Sequence, residues 1–545
     1  MPPRLTIVGT GFLIAGHVTP ETISVIRHAD QVLHVVADAS TRRWLASLNP
    51  RQESMYDAYI PGVVRSLSYA KMVERMLAPL QAGRQVCAAF YGHPGVFATP
   101  GHEAIRRARE AGFQARMLPA ISAEDCLFAD LEIDPGQLGC QSYEASHFLL
   151  RERRFDPDSL LVLWQVGGIG VATFKPEPIW NRAGLRLLAE RLGRVYPQDH
   201  PLVVYRHSGM PICPPQIDRL PLAALGDAEV SVASTLLVAP RGVPAADPRS
   251  VAALGLPGAP VRGRPGTVLA KPASVRRRPG RLSVVGLGYS VAGQVTPHAE
   301  ALMAAADRLF YLVSDPVSGP WLEALNPRAR SLHRGYREGE AGRQAVVEMV
   351  AHLVAAVAAG EEVVAAFAGH PAIFLHVAHE ALNSVRDEGF AARMLPGISI
   401  EDSLIAHLGL DPARHGRSLF EATDFVTRPR ALDTSTALVL LQAGAVGVTR
   451  YRGGLAADER GLAVLAEHLA QHYPPGHPVS IYQAAQLPIL RSMVSRVPLR
   501  RLARAPISQL STLYLPPVES APRDKIMAAR VAKTLEGPRS AKVAI

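Results

Sequence analysis

The chain has 545 residues, a formal net charge of +10 and an isoelectric point of about 9.6; 48% of its residues are hydrophobic and 19% are charged. This length predicts several domain-sized units with substantial hydrophobic cores. The positive charge is mostly arginine dispersed along helical patterns, without a zinc, helix-turn-helix or aromatic RNA-binding signature, which argues against a nucleic-acid-binding protein.

Neither the cysteines nor the apolar segments predict a metal site or a membrane span. The four cysteines form no C-x-x-C pair or other metal-ligand spacing, so reduced thiols and no bound metal are expected. The longest apolar stretch, residues 349–359, is interrupted by His352 and is too short to cross a bilayer. The opening "MPPRLTIVGTG" enters a strand pattern at once and leaves no room for a signal peptide, which predicts a cytoplasmic protein.

Strand and helix patterns alternate along the first half of the chain. "LTIVG" (residues 5–9) is a buried strand that ends in a glycine turn, and Thr19 followed by Pro20 is a helix start. Further patterns predict strands at residues 32–38, 85–92, 160–166 and 202–207, and helices at residues 69–81 and 102–111. This alternation predicts an α/β protein with mostly parallel sheets, arranged as two subdomains with a cleft between them.

The second half of the chain repeats the first. "LTIVGTG" at Gly9 returns as "LSVVGLG" at Gly286, "FYGHPGVF" returns as "FAGHPAIF", and "ARMLPAISAED" returns as "ARMLPGISIED", each 277 residues later. A constant offset over so many motifs indicates a tandem duplication, since two independent chains with a shared fold would not keep one register.

The repeat divides the chain into four parts. We predict a first copy at residues 1–240, a linker rich in Pro, Gly and Arg at 241–280 and a second copy at 281–517. A basic C-terminal tail at 518–545 follows, with one short helix at 524–535.

The glycine turn after the first strand does not match a dinucleotide-binding fingerprint. Gly9 and Gly11 fit its first two positions, but the third small residue is replaced by Ile14 in the first copy and by Val291 in the second. A side chain there obstructs close packing of helix on strand, so a tight turn explains these glycines and NAD or FAD is not expected.

Several motifs together resemble a known superfamily. In order, "LTIVGTG", "YGHPGVF", "ARMLPAISAEDCLFADLEIDP", "GCQSYEASHFL", "LVLWQVG" and "STLLVAP" are similar to the tetrapyrrole-methylase superfamily of S-adenosylmethionine methyltransferases. Within it they most resemble the borosin (omphalotin-type) peptide backbone α-N-methyltransferases. The resemblance covers essentially all of the first copy and, more loosely, the second.

The resemblance implies two tandem tetrapyrrole-methylase-like units, each holding S-adenosylmethionine in the cleft between its subdomains. From the residues alone, Ser122 and Thr235 would be interpreted as an ordinary helix cap and strand end. The cofactor contacts that the resemblance implies in the first copy are His93, Val96, Phe97, Ser122, Ala123, Tyr205, Met210, Ser234 and Thr235.

The first copy also carries a candidate catalytic group. A peptide amide nitrogen is a poor nucleophile, so its methylation needs a base near the N–H and donors near the oxygen. Arg65 and Tyr69 are four residues apart at the start of a helical pattern, and a guanidinium beside a phenol favours the phenolate. The resemblance assigns Tyr59, Arg65 and Tyr69 to catalysis and places Tyr91 in the same site; without it, an Arg–Tyr helical pair is more often a solvated face.

At the same positions the second copy has lost most of this group. Arg65 corresponds to Gly342, Tyr69 to Val346 and Tyr91 to Ala368. Tyr59 is kept as Tyr336, and Arg343 lies one position beyond the arginine, about a third of a helical turn away. The second copy keeps counterparts of the cofactor motif: His370, Ile373, Phe374, Ser399, Tyr482, Ser511 and Thr512. The second copy is therefore predicted to be catalytically degenerate, and the fused copies to form an intramolecular pseudo-dimer.

The substrate is expected to be a separate precursor peptide. Related fungal enzymes methylate an apolar core in their own C-terminal tail, whereas the last residues here, "RSAKVAI", offer little apolar core. Self-methylation of this tail is a lesser alternative. Two other functions remain open from the sequence: methylation of a tetrapyrrole or other small molecule, and a non-catalytic peptide- or cofactor-binding scaffold.

Overall fold

The computed structural model describes residues 2–36, 38–178, 181–210, 213–258, 279–290, 292–333, 342–450, 456–487 and 489–535. Within these residues, the first copy contains ten strands and eight helices of the α type. Its strands are β1 Arg4–Gly9, β2 Gln31–Val35, β3 Gln52–Ser54, β4 Val86–Phe90, β5 Gln114–Met117, β6 Cys140–Glu144, β7 Leu160–Trp164, β8 Pro201–Arg206, β9 Gln216–Pro221 and β10 Thr235–Val238. Its helices are α1 Pro20–His28, α2 Ala39–Leu48, α3 Arg65–Gln81, α4 Thr99–Glu110, α5 Ala123–Leu131, α6 Pro135–Leu138, α7 Ala145–Leu150 and α8 Arg182–Leu192.

The second copy repeats this series, and one further helix follows each copy. The strands are β11 Arg281–Gly286, β12 Arg308–Leu312, β13 Ala329–Ser331, β14 Glu362–Phe367, β15 Ala391–Met394, β16 Arg417–Glu421, β17 Ala437–Leu441, β18 Pro478–Gln483, β19 Met493–Pro498 and β20 Thr512–Leu515. The helices are α10 Pro297–Ala305, α11 Ser318–Leu325, α12 Gly342–Ala358, α13 His376–Asp387, α14 Ile400–Leu408, α15 Ala422–Thr427 and α16 Glu459–Ala470. Helix α9, Pro248–Ala253, follows the first copy and α17, Lys525–Leu535, follows the second.

The first subdomain of each copy is a five-stranded parallel sheet. The strand order is β3-β2-β4-β1-β5 in the first copy and β13-β12-β14-β11-β15 in the second. The central strands are buried over nearly their whole length, as expected for strands covered on both faces by helices. Helix α1 begins as predicted, with Pro20 at its first position and the Thr19 hydroxyl accepting from the Thr22 N–H at 3.3 Å.

The second subdomains of the two copies share a single ten-stranded sheet, in the order β19-β18-β20-β17-β16-β6-β7-β10-β8-β9. Strand β6 of the first copy pairs antiparallel with β16 of the second, with Ser142 opposite Arg417 and Cys140 opposite Leu419. We call this pairing, with the starts of α5 and α14 beside it, the central junction. The sheet is mixed, with β8, β9 and β10 antiparallel, so the prediction of mostly parallel sheets is wrong for the second subdomains.

The extension that follows each copy packs on the other copy. Helix α9, within the predicted linker, lies against the second copy, where Leu254 joins the core and the Asp247 N–H donates to the Thr427 carbonyl at 2.7 Å. Helix α17, close to the predicted bounds, packs Met527 and Val531 into the core of the first copy. Residues 259–278 of the linker and residues 536–545 of the tail lie outside the described residues. Within the described residues, the structure contains no helix whose length and apolar character would suffice to cross a membrane.

Candidate active site

The predicted catalytic residues Tyr59, Arg65 and Tyr69 meet at the start of α3. The helix begins at Arg65, so Tyr69 lies one turn further on the same face. Tyr59 precedes the helix, with its ring centroid 6.3 Å from that of Tyr69 and the ring planes 81° apart. The two rings therefore meet edge to face beside the Arg65 end of the helix. The structure thus brings the three side chains together as the spacing predicts.

The second subdomain closes over this group and holds Arg65. The Arg65 guanidinium donates through Nη2 to the Val171 carbonyl at 2.6 Å, and its backbone N–H donates to the Ala172 carbonyl at 3.1 Å. Val64 and Thr173 form an isolated antiparallel bridge. The guanidinium is therefore fixed by backbone of the opposite subdomain rather than solvated on a helix surface.

Two further aromatic residues belong to the site and were not predicted. Phe174 stacks on Tyr59 at a centroid distance of 5.1 Å and an interplanar angle of 25°. Tyr56 meets Tyr59 edge-on at 5.5 Å. Tyr56 stands three residues before Tyr59 in "YDAY", a signal that could have been used, whereas the sequence around Phe174 carries none. Together they form an aromatic wall around the Tyr59 phenol.

This wall controls the protonation of Tyr59. Burial raises the pKa of the Tyr59 phenol, the neighbouring Tyr69 and Tyr91 phenols raise it further, and Arg65 opposes them with a smaller effect. Tyr59 is thus a protonated hydrogen-bond donor at neutral pH. The expectation that the guanidinium favours a phenolate does not apply to this residue.

Tyr91 faces the same cleft from the loop after β4. Its side chain is 59% exposed, and its ring meets the edge of Phe12 at a centroid distance of 6.3 Å. The loop turns at Gly92 with φ +67°, where an added Cβ would lie 2.7 Å from the Phe12 ring. Glycine at this position lets the loop come close to the turn after β1. The loop then presents the Tyr91 hydroxyl to the cleft.

In the second copy the corresponding surface lacks this chemistry. Gly342 is the first residue of α12, Val346 packs against the hydrophobic core, and Ala368 follows β14. Tyr336, the retained counterpart of Tyr59, lies outside the described residues. The described part of the second copy therefore offers neither the guanidinium nor the two phenols at these three positions.

Two of the predicted cofactor contacts, His93 and Phe97, reach across to the second copy. His93 donates through Nε2 to the Asp402 carbonyl at 3.0 Å, while its Nδ1 accepts from the Gly95 N–H at 3.0 Å. Burial lowers the pKa of His93 to about 3, so the ring is neutral. The Phe97 N–H donates to the Asp411 carboxylate at 3.3 Å. His370 and Phe374 repeat these contacts from the second copy.

Val96, Phe97 and Ser122 line a small cavity at the central junction, together with Ser142 and Trp164. The Ser122 hydroxyl takes part in a capping box at the start of α5, accepting from the Asp125 N–H at 3.2 Å and donating to the Asp125 carboxylate at 2.7 Å. Ala123 is the first residue of this helix. The capping box accounts for the Ser122 hydroxyl without a ligand. Val96, Phe97, Ser142 and Trp164 contribute to the rest of the cavity lining.

The other predicted contacts lie in the second subdomain. Thr235 is opposite Tyr205 in the β10–β8 pairing, and the Tyr205 hydroxyl donates to the Asp130 carboxylate at 2.6 Å. The Ser234 hydroxyl accepts from the Ser231 N–H at 2.8 Å, and Met210 is 51% exposed. Only Met210 among these offers a side chain that is open to solvent.

The central junction also buries acidic groups from both copies. Burial raises the pKa of Asp125 to about 6, and burial together with the charge of Asp125 raises the pKa of Asp402 well above its ordinary value. Beside them, Arg417 forms ion pairs with Glu124 of the first copy and Glu401 of the second. The equivalent position in the first copy is Cys140, so one guanidinium serves both glutamates.

Comparison with known proteins identifies similar chains. The family model of tetrapyrrole (corrin/porphyrin) methylases matches residues 4–212 and 281–497. A methyltransferase/ribosomally synthesized type I borosin cyclic peptide precursor from Mycena rosella is 40% identical over 268 residues, covering 48% of this chain and 66% of that protein. The corresponding gymnopeptides precursor from Gymnopus fusipes is 43% identical over 241 residues, covering 44% of this chain and 57% of that protein.

These alignments span less than two thirds of the length of either relative. Among solved structures, a uroporphyrin-III C-methyltransferase from Thermus thermophilus is 20% identical, with a TM-score of 0.33, over 43% of this chain and 94% of that chain.

Proposed function

Since the chain belongs to the tetrapyrrole methylase family, we propose that it is an S-adenosylmethionine-dependent methyltransferase that methylates backbone amide nitrogens of a separate precursor peptide. The observation that supports the amide substrate best is the edge-to-face Tyr59–Tyr69 pair at the start of the helix that carries Arg65, whose guanidinium is anchored on the Val171 carbonyl. Borosin peptide precursors among its relatives support the same substrate class.

The reaction requires the amide proton to leave before the nitrogen can attack. In our proposal Tyr69 is the base that removes that proton, because it lies one helical turn from Arg65 and against the Tyr59 ring, which burial keeps protonated. Arg65 lies on the same helix face and stabilises the negative charge that develops on the carbonyl oxygen. Tyr91 orients the peptide from the opposite loop.

The reaction needs no reactant other than the peptide and S-adenosylmethionine. The N–H proton would pass to Tyr69 and then to solvent, and the nitrogen would take the methyl carbon in its place while the neutral thioether leaves. S-adenosylmethionine supplies the electrophilic methyl group when bound. The residues of the chain position the peptide, remove the proton and exclude water.

The predicted cofactor residues fit this group chemically. Val96, Phe97 and Trp164 supply the apolar and aromatic side chains that an adenine ring prefers, around a cavity of about 20 Å³ that must widen to admit the ring. Tyr205, Met210, Ser234 and Thr235, with His93 and Ala123, complete the proposed contacts.

The second copy supports the first in this proposal instead of catalysing transfer. It retains the loop that anchors His370 on the first copy, but not the guanidinium and phenols of the site. The reciprocal His93 and His370 contacts make the two copies a fused pseudo-dimer, and the first copy is the methyltransferase.

Intact-mass spectrometry tests the proposal. The purified chain would be incubated with S-adenosylmethionine and each short peptide encoded beside its gene, with Tyr69→Phe as the matched variant. We expect mass gains in steps of one methyl group on a peptide, lost in Tyr69→Phe. Methylation of a tetrapyrrole but of no peptide would show that the substrate is a small molecule. Cofactor binding without methyl transfer to either substrate would indicate a non-catalytic scaffold.

A further inference from the structure

A cleft of about 940 Å³ lies between the second copy's subdomains and the edge of the first copy's sheet. Tyr289 and Gln294 reach it from the turn after β11, Ser403 from α14, and Leu490 from the connection between β18 and β19. The first copy contributes residues 113–119, which include all of β5. We call this space the second-copy cleft; it is separate from the Tyr59–Arg65–Tyr69 group.

The described lining of the second-copy cleft is strongly basic. One carboxylate, Glu21, lines it, and its Oε1 lies 3.7 Å from Nη1 of Arg116. Arg109 donates through Nε and Nη2 to the backbone carbonyl of Ala115 and gains no neutralising charge from that contact. The arginines of the lining are Arg4, Arg109, Arg116 and Arg491. Their surplus charge favours an anionic occupant.

The duplication provides an internal reference for this charge. Arg386, the second-copy counterpart of Arg109, forms a bidentate ion pair with the Glu132 carboxylate of the first copy. The residue that corresponds to Glu132 in the second copy is Gly409. Arg109 thus lacks the inter-copy carboxylate that its counterpart has.

A second arginine shows the same difference. Arg281, the counterpart of Arg4, pairs with Glu362 on the neighbouring strand. The first-copy residue that corresponds to Glu362 is Gln85, which carries no charge. Arg386 and Arg281 are thus each neutralised by a carboxylate. Their counterparts Arg109 and Arg4, which line the second-copy cleft, have a neutral residue in place of that carboxylate.

An apolar surface borders the same cleft. Ile489, Leu490 and Met493 lie at the β18–β19 hairpin and are 88%, 56% and 66% exposed. Leu490 corresponds to Cys213 and Met493 to Gln216 of the first copy, so at these two positions the apolar side chain is particular to the second copy, whereas Ile489 corresponds to Ile212. Clustered exposed apolar side chains mark interaction surfaces, and methionine adapts to varied partners.

The third feature is a sheet edge. Strand β5 is the outermost strand of its sheet and pairs on one side with β1. Its residues Gln114–Met117 line the cleft, where the Ala115 carbonyl already accepts from Arg109. An edge strand offers backbone N–H and C=O groups to an extended peptide, which gives a peptide an advantage over a small anion.

We propose that the second-copy cleft docks an extended, acidic and apolar segment of a peptide, and that this peptide is the substrate of the first copy. The arginines recognise the carboxylates, the Leu490 hairpin covers the apolar side chains, and β5 pairs with the backbone. The identity of the occupant as substrate rests on the proposed function; the docking site itself does not. The second copy is then the recognition module of the fused enzyme.

Fluorescence anisotropy with a labelled synthetic peptide of alternating Glu and Leu, about twelve residues long, tests the docking site. The experiment uses the full chain carrying Tyr69→Phe and omits S-adenosylmethionine, so binding is read independently of transfer. Arg116→Glu and Leu490→Asp are the test variants. Arg393→Glu, at the counterpart of Arg116, is the matched control, and circular dichroism verifies that each variant is folded.

We expect Arg116→Glu to raise the Kd of the Glu–Leu peptide about tenfold or more at low salt, with a smaller effect at high salt because the charges are then screened. Leu490→Asp should also weaken binding, and Arg393→Glu should not. Absence of binding, equal weakening by Arg116→Glu and Arg393→Glu, or full displacement by inorganic phosphate would overturn the proposal. Arg116-dependent binding without methylation of any peptide would refute the proposed function and leave the docking site standing.

Discussion

Replacing Arg417 by methionine should destabilise the central junction strongly. The Arg417 side chain is 3% exposed and is paired with Glu124 of the first copy and Glu401 of the second. Because Cys140 stands at the equivalent position of the first copy, the described residues offer no second guanidinium there to replace it. Removing one partner of a buried ion pair leaves an uncompensated charge and costs about 3–5 kcal/mol of the free energy of unfolding.

The loss should depend on pH in a defined direction. Burial raises the pKa of Glu401 from 4.5 to about 8, so between these values the folded state holds more protons than the unfolded state and stability falls as pH rises. The charge of Arg417 opposes this shift. Without Arg417, the Glu401 carboxyl group must stay protonated, which costs little at about pH 5 and much more at about pH 8.

Urea unfolding followed by fluorescence at these two pH values measures the effect. Arg75→Met is the control, because its partners Glu53 and Asp57 are 53% and 65% exposed and its loss should cost no more than about 1 kcal/mol. A loss below about 1 kcal/mol for Arg417→Met at about pH 8, or an equal loss at both pH values, would refute the assignment of Arg417 as the charge that joins the copies.

Three other changes test the remaining architecture. Met527→Ala should lower the free energy of unfolding by about 2–5 kcal/mol because the side chain is buried in the first copy's core, whereas Ile526→Ala, at a position 78% exposed, should stay within about 0.5 kcal/mol in the same urea titration. Tyr91→Ala, which installs the second-copy residue, should slow methyl transfer by roughly tenfold or more in a mass-spectrometric time course while cofactor affinity, measured by calorimetry, is kept; an unchanged rate would exclude Tyr91 from the site. A fragment of residues 1–240 should be inactive and aggregate in size-exclusion chromatography because it lacks α17 and the partner of β6; a soluble, fully active fragment would contradict the pseudo-dimer.

Local elements and the repeat were predictable because their signals lie within short windows. Thr19 and Pro20 mark the start of α1, and the 277-residue offset reveals the duplication without any structural knowledge. The ten-stranded sheet was not predictable, because its central pairing joins Ser142 to Arg417 and no local pattern encodes so distant a register. The antiparallel order of the second subdomains was missed for the same reason.

Part of the candidate site was also predictable from the sequence and part was not. Arg65 and Tyr69 are four residues apart, and helix periodicity alone places them on one face. Phe174 reaches the site only because the second subdomain closes on the first, which the sequence does not signal. His93 was predicted as a cofactor contact, yet both of its ring nitrogens have protein partners, one of them in the other copy. We therefore expect His93 to contact the cofactor through its backbone and its ring carbon atoms.

The crossed extensions have a consequence for biosynthesis. The first copy leaves the ribosome without α17, the helix that supplies Met527 and Val531 to its core, and that helix is translated about 280 residues later. At about 5–20 residues per second, the delay is roughly 14–56 s. During this interval the nascent first copy exposes an unfilled apolar face and the unpaired edge of β6. Its final folding step must therefore wait until α17 has been translated, and chaperones that bind apolar segments would meet the chain during that delay.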